Sequence, residues 1–411
     1  MAHLCNSDIL SLIFIDAFEN TISSKLPLRS VNRAWFDVAG STPQLWTRLV
    51  LNRKSDFANL EYVQFYLKKS GGLPIDVRIA LPDDVDVSET GGVTSLLRDQ
   101  SSRIRIFDLH VRIHEELEAF ISSIGQGRPA PLLERLVLKV GRGDTNSSEF
   151  LSLSTAFTPS PRLAHIELPG YPLPKTFPQL STINSLTIDS MIFDSVAVHE
   201  IVSFLDSASS LRHFVYKGQD VFSFNSVSNL DYPHIVSLPD LLTADVTAPG
   251  AGADILRAIN APKLTDVRLD GFHAHYFEGR WDEFLSENLS ETVRRLSARS
   301  PNLQRLELEH TVFQSAIQDY ALIFSSAGFP QLEEVLLIRT DIDDQALLAA
   351  SGSPSSLKRL TLRDCVKVTG AGLLEFVRGR GCTFSLTLQN CRDVTQQDID
   401  TLSASVKVCV H

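Results

Sequence analysis

A short apolar motif recurs along most of this chain, and its repetition constrains the fold more than any other feature of the sequence. The motif is L-x-x-L-x-L, in which any aliphatic or aromatic residue can occupy an L position. Its clearest copies begin at residues 133, 163, 183, 211, 264, 303, 332 and 357, and weaker copies begin at 46, 104, 242 and 383. From residue 104 onwards, neighbouring copies start roughly 20 to 40 residues apart, which predicts one structural unit repeated many times.

The spacing within the motif indicates how these units pack. The first, fourth and sixth residues point into a shared core, while the intervening residues of the short strand point outwards. One unit cannot bury its apolar side alone, so neighbouring units stack and their cores become continuous. Amphipathic segments between the motifs predict helices over 115–124, 196–209 and 290–301.

The last two repeats, "LKRLTLRDCVKVTGAGLLEFV" and "SLTLQNCRDVTQQDIDTL", share a cysteine after the strand and a threonine before the helix. They resemble the cysteine-containing type of leucine-rich repeat, which implies that Cys365 and Cys391 are buried structural thiols. In two earlier repeats the cysteine position is occupied by Thr311 and Thr340. Thr369 and Thr395 are predicted to be helix N-caps. The predicted fold class is therefore α/β, a leucine-rich-repeat solenoid with short parallel strands on the concave side and helices on the convex side.

Composition narrows the classes of function. The chain has 411 residues and a formal net charge of −11, so no sequence-independent attraction to nucleic acid is expected. Five cysteines, an odd number without a CxxC pair, favour a reducing compartment, the cytoplasm or the nucleus. The most apolar early run is interrupted by Asp8 and Asp16, so neither a signal peptide nor a membrane span is predicted.

The first 46 residues do not follow the repeat pattern. An apolar run, "SDILSLIFIDAF", is followed by "LRSVNRAWFDVAG" and then by "STPQLW". These three segments, in this order, resemble an F-box. Together with the repeats, they make the chain similar to the F-box/leucine-rich-repeat proteins, which act as substrate receptors of SCF-type ubiquitin ligases. The resemblance implies a helical domain over 1–48 and a solenoid over 49–411, most regular over 303–405.

The resemblance also implies a partner for the N-terminal domain. A domain this short cannot bury all of its large side chains internally. In the family, a Skp-family linker subunit covers them and connects the receptor to a cullin. The candidate linker-binding residues are Ile9, Leu10, Ile13, Phe14, Leu28, Val31, Asn32, Trp35, Pro43, Leu45 and Trp46. The family's opening Leu-Pro pair is replaced here by Cys5 and Asn6.

A target protein is expected to bind the outward residues of the strands and the longest connection between repeats. The strand positions form columns of mixed charge, which favour a protein target over a polyanion. The connection over 271–284 combines histidines, aromatic residues and arginine, types that dominate protein-binding hot spots. The candidate target-binding residues are Lys217, Arg268, Asp270, His273, Tyr276, Trp281, Glu307, Glu309 and Arg363.

Signatures of catalysis are missing from the sequence. It contains no P-loop, dinucleotide fingerprint, H-E-x-x-H or G-x-S-x-G motif. His273 and His275 could ligate a metal only with further ligands that the local sequence does not supply. We therefore expect no enzymatic activity, no cofactor and no metal.

Two other functions are compatible with the sequence. The chain could be a leucine-rich-repeat interaction scaffold with a decayed F-box and no role in a ligase, since the Leu-Pro pair is absent. Its N-terminal apolar residues would then simply cap the solenoid. It could also be a GTPase activator that presents an arginine or acidic cluster, because some solenoids of similar repeat length act in this way.

Overall fold

The computed structural model describes residues 7–19, 31–141, 155–170, 180–190, 198–218, 235–247, 251–271, 281–352, 354–378, 380 and 383–410. Contacts between Cα atoms divide the chain into two compact units, Met1–Gln179 (unit 1) and Leu180–His411 (unit 2). The predicted boundary between residues 48 and 49 lies inside unit 1 and stays a prediction.

Unit 1 begins with two helices, α1 (Ser7–Glu19) and α2 (Arg33–Ser41), and then alternates strands with helices. Its further elements are β1 (Arg48–Leu51), α3 (Lys54–Ala58), α4 (Leu60–Lys69), β2 (Ile75–Ala80), α5 (Gly91–Arg98), β3 (Ile104–Val111), α6 (His114–Ile124), β4 (Arg135–Val140) and β5 (His165–Pro169). Strands β1 to β5 pair in chain order, and every pair is parallel. Parallel neighbours in chain order require a crossover after each strand, as in a solenoid.

Unit 2 continues the same alternation. Its elements are β6 (Ser185–Ser190), α7 (Val198–Asp206), β7 (His213–Gly218), β8 (Val236–Ser237), β9 (Thr243–Thr247), α8 (Ala251–Ala258), β10 (Ile259–Asn260), β11 (Asp266–Asp270), α9 (Trp281–Arg299), β12 (Arg305–Glu309), α10 (Ala316–Ile323), β13 (Glu334–Ile338), α11 (Asp344–Ser351), β14 (Arg359–Arg363), α12 (Gly370–Val377), β15 (Ser385–Gln389), α13 (Gln396–Ser403) and β16 (Lys407–Val410). The main strands pair in parallel in the order β6-β7-β9-β11 and then β11 to β16. Within the described part of the chain, the short strands β8 and β10 pair with each other and not with the main strands.

The L positions of the motif form the core, as the spacing predicts. In the repeat that contains β12, Leu303, Leu306 and Leu308 are all buried, and the other clear copies follow the same pattern. The weak copy placed at Leu242 is one residue out of register, because the buried residues are Leu241, Ala244 and Val246. Such a slip exchanges the two faces of a strand. The predicted fold class, an α/β leucine-rich-repeat solenoid, is thus confirmed. Among the described residues, no helix is long and apolar enough to cross a bilayer.

A residue with left-handed backbone conformation follows each of four successive strands. His310, Arg339, Asp364 and Asn390 have φ angles between 50° and 55°. The next residue in each repeat is the Thr or Cys that the sequence predicts to turn inward, and Thr311, Thr340 and Cys365 are buried, while Cys391 is half-buried. The Cys365 thiol lies 3.6 Å from the Leu337 carbonyl oxygen, to which it donates. The cysteine position is therefore a structural one that joins neighbouring strands.

Polar side chains also tie one repeat to the next. Thr369 and Thr395 cap α12 and α13, as predicted, and each accepts a hydrogen bond from a backbone N–H in the first turn. The carboxylate of Asp344, at the start of α11, accepts hydrogen bonds from the Thr369 N–H (2.8 Å) and hydroxyl (2.7 Å). The cap of one helix is thus held by the first turn of the preceding helix.

Candidate protein-binding surfaces

Helix α1 carries apolar side chains on two sides. Leu10 and Phe14, four residues apart, are buried in unit 1. Ile9, Leu12 and Ile13 lie on the other side, with 52%, 67% and 49% of their surfaces exposed. We call these three residues the α1 stripe. A helix that is apolar all round is normally covered on both sides, so the α1 stripe resembles a surface made for contact.

The inner side of α1 belongs to a packed aromatic core. The rings of Phe14 and Trp35 have centroids 4.9 Å apart. Trp46 is buried, donates from Nε1 to the Ala39 carbonyl oxygen at 2.8 Å, and meets Tyr66 of α4 edge to face at 5.1 Å. Because α4 belongs to the first repeat, Trp46 joins the N-terminal helices to the beginning of the solenoid.

Polar contacts fix the ends of the N-terminal helices. The Asn32 side chain accepts a hydrogen bond from the Trp35 N–H at 2.9 Å and caps α2. The Ser11 hydroxyl lies 2.9 Å from the Thr42 hydroxyl, which donates to the Val38 carbonyl oxygen at 2.7 Å. These contacts hold α1 against the end of α2, so the α1 stripe is positioned by a defined scaffold.

The predicted linker-binding residues differ in their exposure. Leu10, Phe14, Leu45 and Trp46 are buried, so a partner docking on this conformation would not reach them, and they stabilise the scaffold instead. Ile9, Ile13, Val31, Asn32 and Pro43 are exposed, and Trp35 is half-buried. Leu28 lies outside the described residues. Sequence reasoning missed Leu12, which continues the α1 stripe, and Phe36, which is 43% exposed.

The outward residues of the strands in unit 2, which we call the strand face, centre on Arg268. Strand pairing places Arg268 beside Asp245 on β9 and Glu307 on β12. The guanidinium lies 3.5 Å from an Asp245 oxygen, 2.9 Å from a Glu307 oxygen and 3.0 Å from a Glu309 oxygen. One cation is therefore surrounded by three carboxylates from two neighbouring strands.

Asp270, Glu309 and His310 form a second cluster at the edge of the strand face. Their ligand atoms lie within 4.8 Å of one another, the one such group found among the described residues. Arg339 Nη1 lies 3.3 Å from His310 Nε2, and because a guanidinium can only donate, Nε2 must accept. The ring proton then sits on Nδ1, which donates to Asp270 Oδ1 at 3.1 Å.

The remaining predicted target-binding residues have different surroundings. Lys217 is half-buried on β7, whereas Arg363 is exposed on β14 and donates to Gln389 Oε1 at 2.6 Å. His273 and Tyr276 lie outside the described residues, as does most of the 271–284 connection. Trp281 is the first residue of α9, and nothing further is described of its side chain. The described part of the predicted target surface is thus the strand face.

Buried ionisable groups of unit 2 serve packing. The Tyr320 hydroxyl donates to Asp341 Oδ1 at 3.0 Å, and the other Asp341 oxygen accepts from the Phe313 N–H at 3.0 Å. Burial raises the pKa of Asp341, and burial together with the Asp341 charge raises the pKa of Tyr320 well above its ordinary value. Burial likewise raises the pKa of the Cys365 thiol, so a reactive thiolate is not favoured there.

Comparison with known proteins does not assign this chain to a family. No known family profile matches it, and no curated protein matches it. A crystal structure of the Rad7 and Elc1 complex in yeast is similar at 13% identity and a TM-score of 0.42, over 97% of this chain and 86% of that chain. A protein from Bacteroides fragilis is similar at 12% identity and a TM-score of 0.36, over 74% of each chain. At these TM-scores neither similarity supports an argument about this chain.

Proposed function

We propose that this protein is a non-catalytic substrate-recognition adaptor of an SCF-type E3 ubiquitin ligase. Its N-terminal helices dock a Skp-family linker subunit and, through it, a cullin, and its repeats hold a target protein. The observation that carries this proposal is the α1 stripe, three exposed apolar residues on a helix whose opposite side is already buried. The order of F-box-like segments and leucine-rich repeats in the sequence supports the same role.

The energetics favour a protein as the cover of the α1 stripe. Fully burying one large aliphatic side chain is worth roughly 1.5 to 3 kcal/mol. The three residues of the stripe, together with Val31 and Phe36, which are also exposed, thus offer enough apolar surface for a specific contact. Leaving that surface in water would bring no benefit to a chain that only needed to cap its own repeats.

The adaptor role requires no chemistry from this chain. In such a ligase other subunits transfer ubiquitin, and the receptor contributes proximity by holding a lysine of the target near the reactive thioester. Two separate binding surfaces are sufficient for this role. The cytoplasm or the nucleus is the compartment in which such an adaptor would act.

The decisive experiment is co-purification of the full chain with a co-expressed Skp-family linker. The variant Ile9→Asp/Ile13→Asp places two charges in the α1 stripe. Its control, Val366→Asp/Val410→Asp, also replaces two aliphatic side chains by aspartate, at two exposed positions of unit 2. We expect the first variant to lose linker binding by more than about tenfold, since two aliphatic contacts are removed. The control should bind like the natural chain, and both should melt at the same temperature as it does.

Equal retention of the linker by both variants would overturn the proposal. If the natural chain does not bind the linker at all, the variant Cys5→Leu/Asn6→Pro, which restores the family's Leu-Pro pair, gives a second measurement. Failure of that variant to bind would favour the other function that the sequence allows, an interaction scaffold without a role in a ligase.

A further inference from the structure

The negative charge of this protein is concentrated in unit 2. Residues 180–411 contain 29 Asp and Glu against 19 Lys and Arg, a formal net charge of −10 out of −11 for the whole chain. Residues 1–179 contain 20 acidic and 19 basic residues and are nearly neutral. The field around unit 2 therefore attracts cationic groups, and it does so far more strongly than the field around unit 1.

Part of this surplus lies on the strand face. The outward residues of β9, β11 and β12 include five carboxylates and two arginines: Asp245, Asp266, Asp270, Glu307 and Glu309, with Arg268 and Arg305. Arg305 also lies 3.8 Å from Glu334 on β13, so its charge is shared with a further carboxylate. This part of the strand face, which we call the acidic patch, thus has more negative than positive charge.

The cation at the centre of the acidic patch is not available to a partner. Partial burial opposes the charge of Arg268, but the hydrogen bond with Glu309 and the charges of Asp245 and Glu307 outweigh it and raise the pKa of Arg268. Arg268 thus stays charged and bound to its neighbours. Only 14% of the Glu307 side chain and 19% of the Glu309 side chain are exposed, so these charges are poorly screened by water.

An apolar strip borders the acidic patch. Strand pairing places Leu336 beside Glu307 and Ile338 beside Glu309. Leu336 is half-buried and Ile338 is buried, so an aliphatic side chain of a partner could lie on Leu336 while a neighbouring cation reaches Glu307. Arg268 itself indicates which group these carboxylates accept, since three of them already hold a guanidinium within 3.5 Å.

We propose that the strand face of unit 2 docks a basic segment of a target protein, with Lys or Arg side chains on the acidic patch and an apolar side chain on Leu336. Charge complementarity carries this assignment: a surplus of poorly screened carboxylates attracts cations and repels acidic segments. The identification of that segment as part of a ubiquitylation target rests on the proposed function, whereas its basic character does not.

The test measures binding of labelled nona-arginine and nona-glutamate peptides to the full chain by fluorescence anisotropy. The variant Glu307→Gln/Glu309→Gln removes two charges from the acidic patch. Its control, Glu200→Gln/Asp400→Asn, removes two charges from exposed positions on α7 and α13, so the net charges of both variants are equal. We expect nona-arginine to bind, nona-glutamate not to bind, and the patch variant to weaken binding about tenfold, with a change below about twofold for the control.

Equal weakening by both variants would overturn the inference, because it would show attraction to the whole unit without a docking place. Absence of nona-arginine binding to the natural chain would overturn it as well. Circular dichroism of both variants checks that the fold is kept. Linker binding is tested with the α1 variants, and binding of a basic segment is tested with the variant of Glu307 and Glu309. Failure of the proposed ligase role and failure of the basic-segment site can therefore be told apart.

Discussion

The last repeats of unit 2 and the N-terminal helices of unit 1 treat their large apolar residues in opposite ways. From β12 to β14, every L position of the motif is buried, and threonines, a cysteine and Asp344 satisfy the polar groups between neighbouring repeats. In α1, by contrast, apolar residues alternate between the core and the solvent. The exposed large apolar residues of the last repeats, Ile317, Leu348, Val366 and Val410, lie on different segments of the chain, whereas α1 carries three of them on one side of a single helix.

This difference makes stability and binding separable. Substitutions at the interior of the repeats should change the free energy of unfolding, and substitutions at the α1 stripe should change association while leaving folding intact.

The largest expected effect comes from the same substitution at two phenylalanines. Phe376 of α12 is fully buried, packs 5.1 Å from Phe324, and lies under the Arg380 guanidinium at 4.1 Å. Phe376→Ala should lower the free energy of unfolding by about 3 to 5 kcal/mol. Phe36→Ala, at a position where 43% of the side chain is exposed, should lower it by only about 1 kcal/mol. Urea denaturation of both variants measures the contrast, and similar losses would remove the distinction between the two regions.

A smaller loss is expected when the tie between two repeats is broken. Asp344→Ala removes two hydrogen bonds to Thr369 and leaves that helix cap unsupported. The free energy of unfolding should fall by about 1 to 3 kcal/mol. Asp393→Ala, at an exposed aspartate, is the control and should have no measurable effect. Equal unfolding midpoints for the two variants would contradict a role for Asp344 in joining the repeats.

The capping box of α13 makes a pH-dependent prediction. Hydrogen bonds from the Thr395 hydroxyl and backbone N–H lower the pKa of Asp398 below its ordinary value. A lowered pKa in the folded state stabilises the protein above the ordinary pKa of aspartate, about 3.9, and this stabilisation is lost as the pH falls through the lower folded value. Thr395→Val should return the pKa of Asp398 towards its ordinary value, which an NMR titration of the carboxyl carbon can follow. An unchanged titration curve would rule out the cap as the cause.

The smallest effect on folding is expected at Leu12, 67% of which is exposed. Leu12→Gln should leave the free energy of unfolding within about 0.5 kcal/mol. It should reduce self-association of the isolated chain, because it removes part of an uncovered apolar surface. Light scattering at increasing protein concentration measures this change. Ile317→Gln, an exposed position on α10, provides the comparison, and an equal reduction there would weaken the case for the α1 stripe.

The repeat pattern predicted the core of the solenoid well because it depends on short-range spacing. Leu303, Leu306 and Leu308 face inward for reasons that operate within one strand. The predicted register of the weak copy near Leu242 was wrong by one residue. Two adjacent leucines, Leu241 and Leu242, fit the motif equally well, and only the pairing of β9 with β11 shows which of them faces the core.

The candidate surfaces were harder to predict, since exposure depends on contacts between distant segments. Nothing local distinguishes Leu10, which is buried, from Leu12, which is exposed. The sequence indicated mixed charges on the strand face, but only the pairing of β9, β11 and β12 reveals that Arg268 is enclosed by carboxylates. The net negative charge of the acidic patch therefore follows from the tertiary structure and cannot be predicted from any one strand.

The residues with left-handed backbone conformation that follow strands β12 to β15 influence how the repeats can change in evolution. Asn390 and Asp364 adopt this conformation at little cost, whereas His310 and Arg339 carry backbone strain of about 1 kcal/mol or more each. Glycine would relieve that strain, but it would also delete the contacts that His310 makes with Asp270 and that Arg339 makes with Asp364. At positions 310 and 339 the chain thus accepts a strained backbone and keeps a side chain at the edge of the strand face. Substitutions at these two positions can change that surface without disturbing the buried leucines.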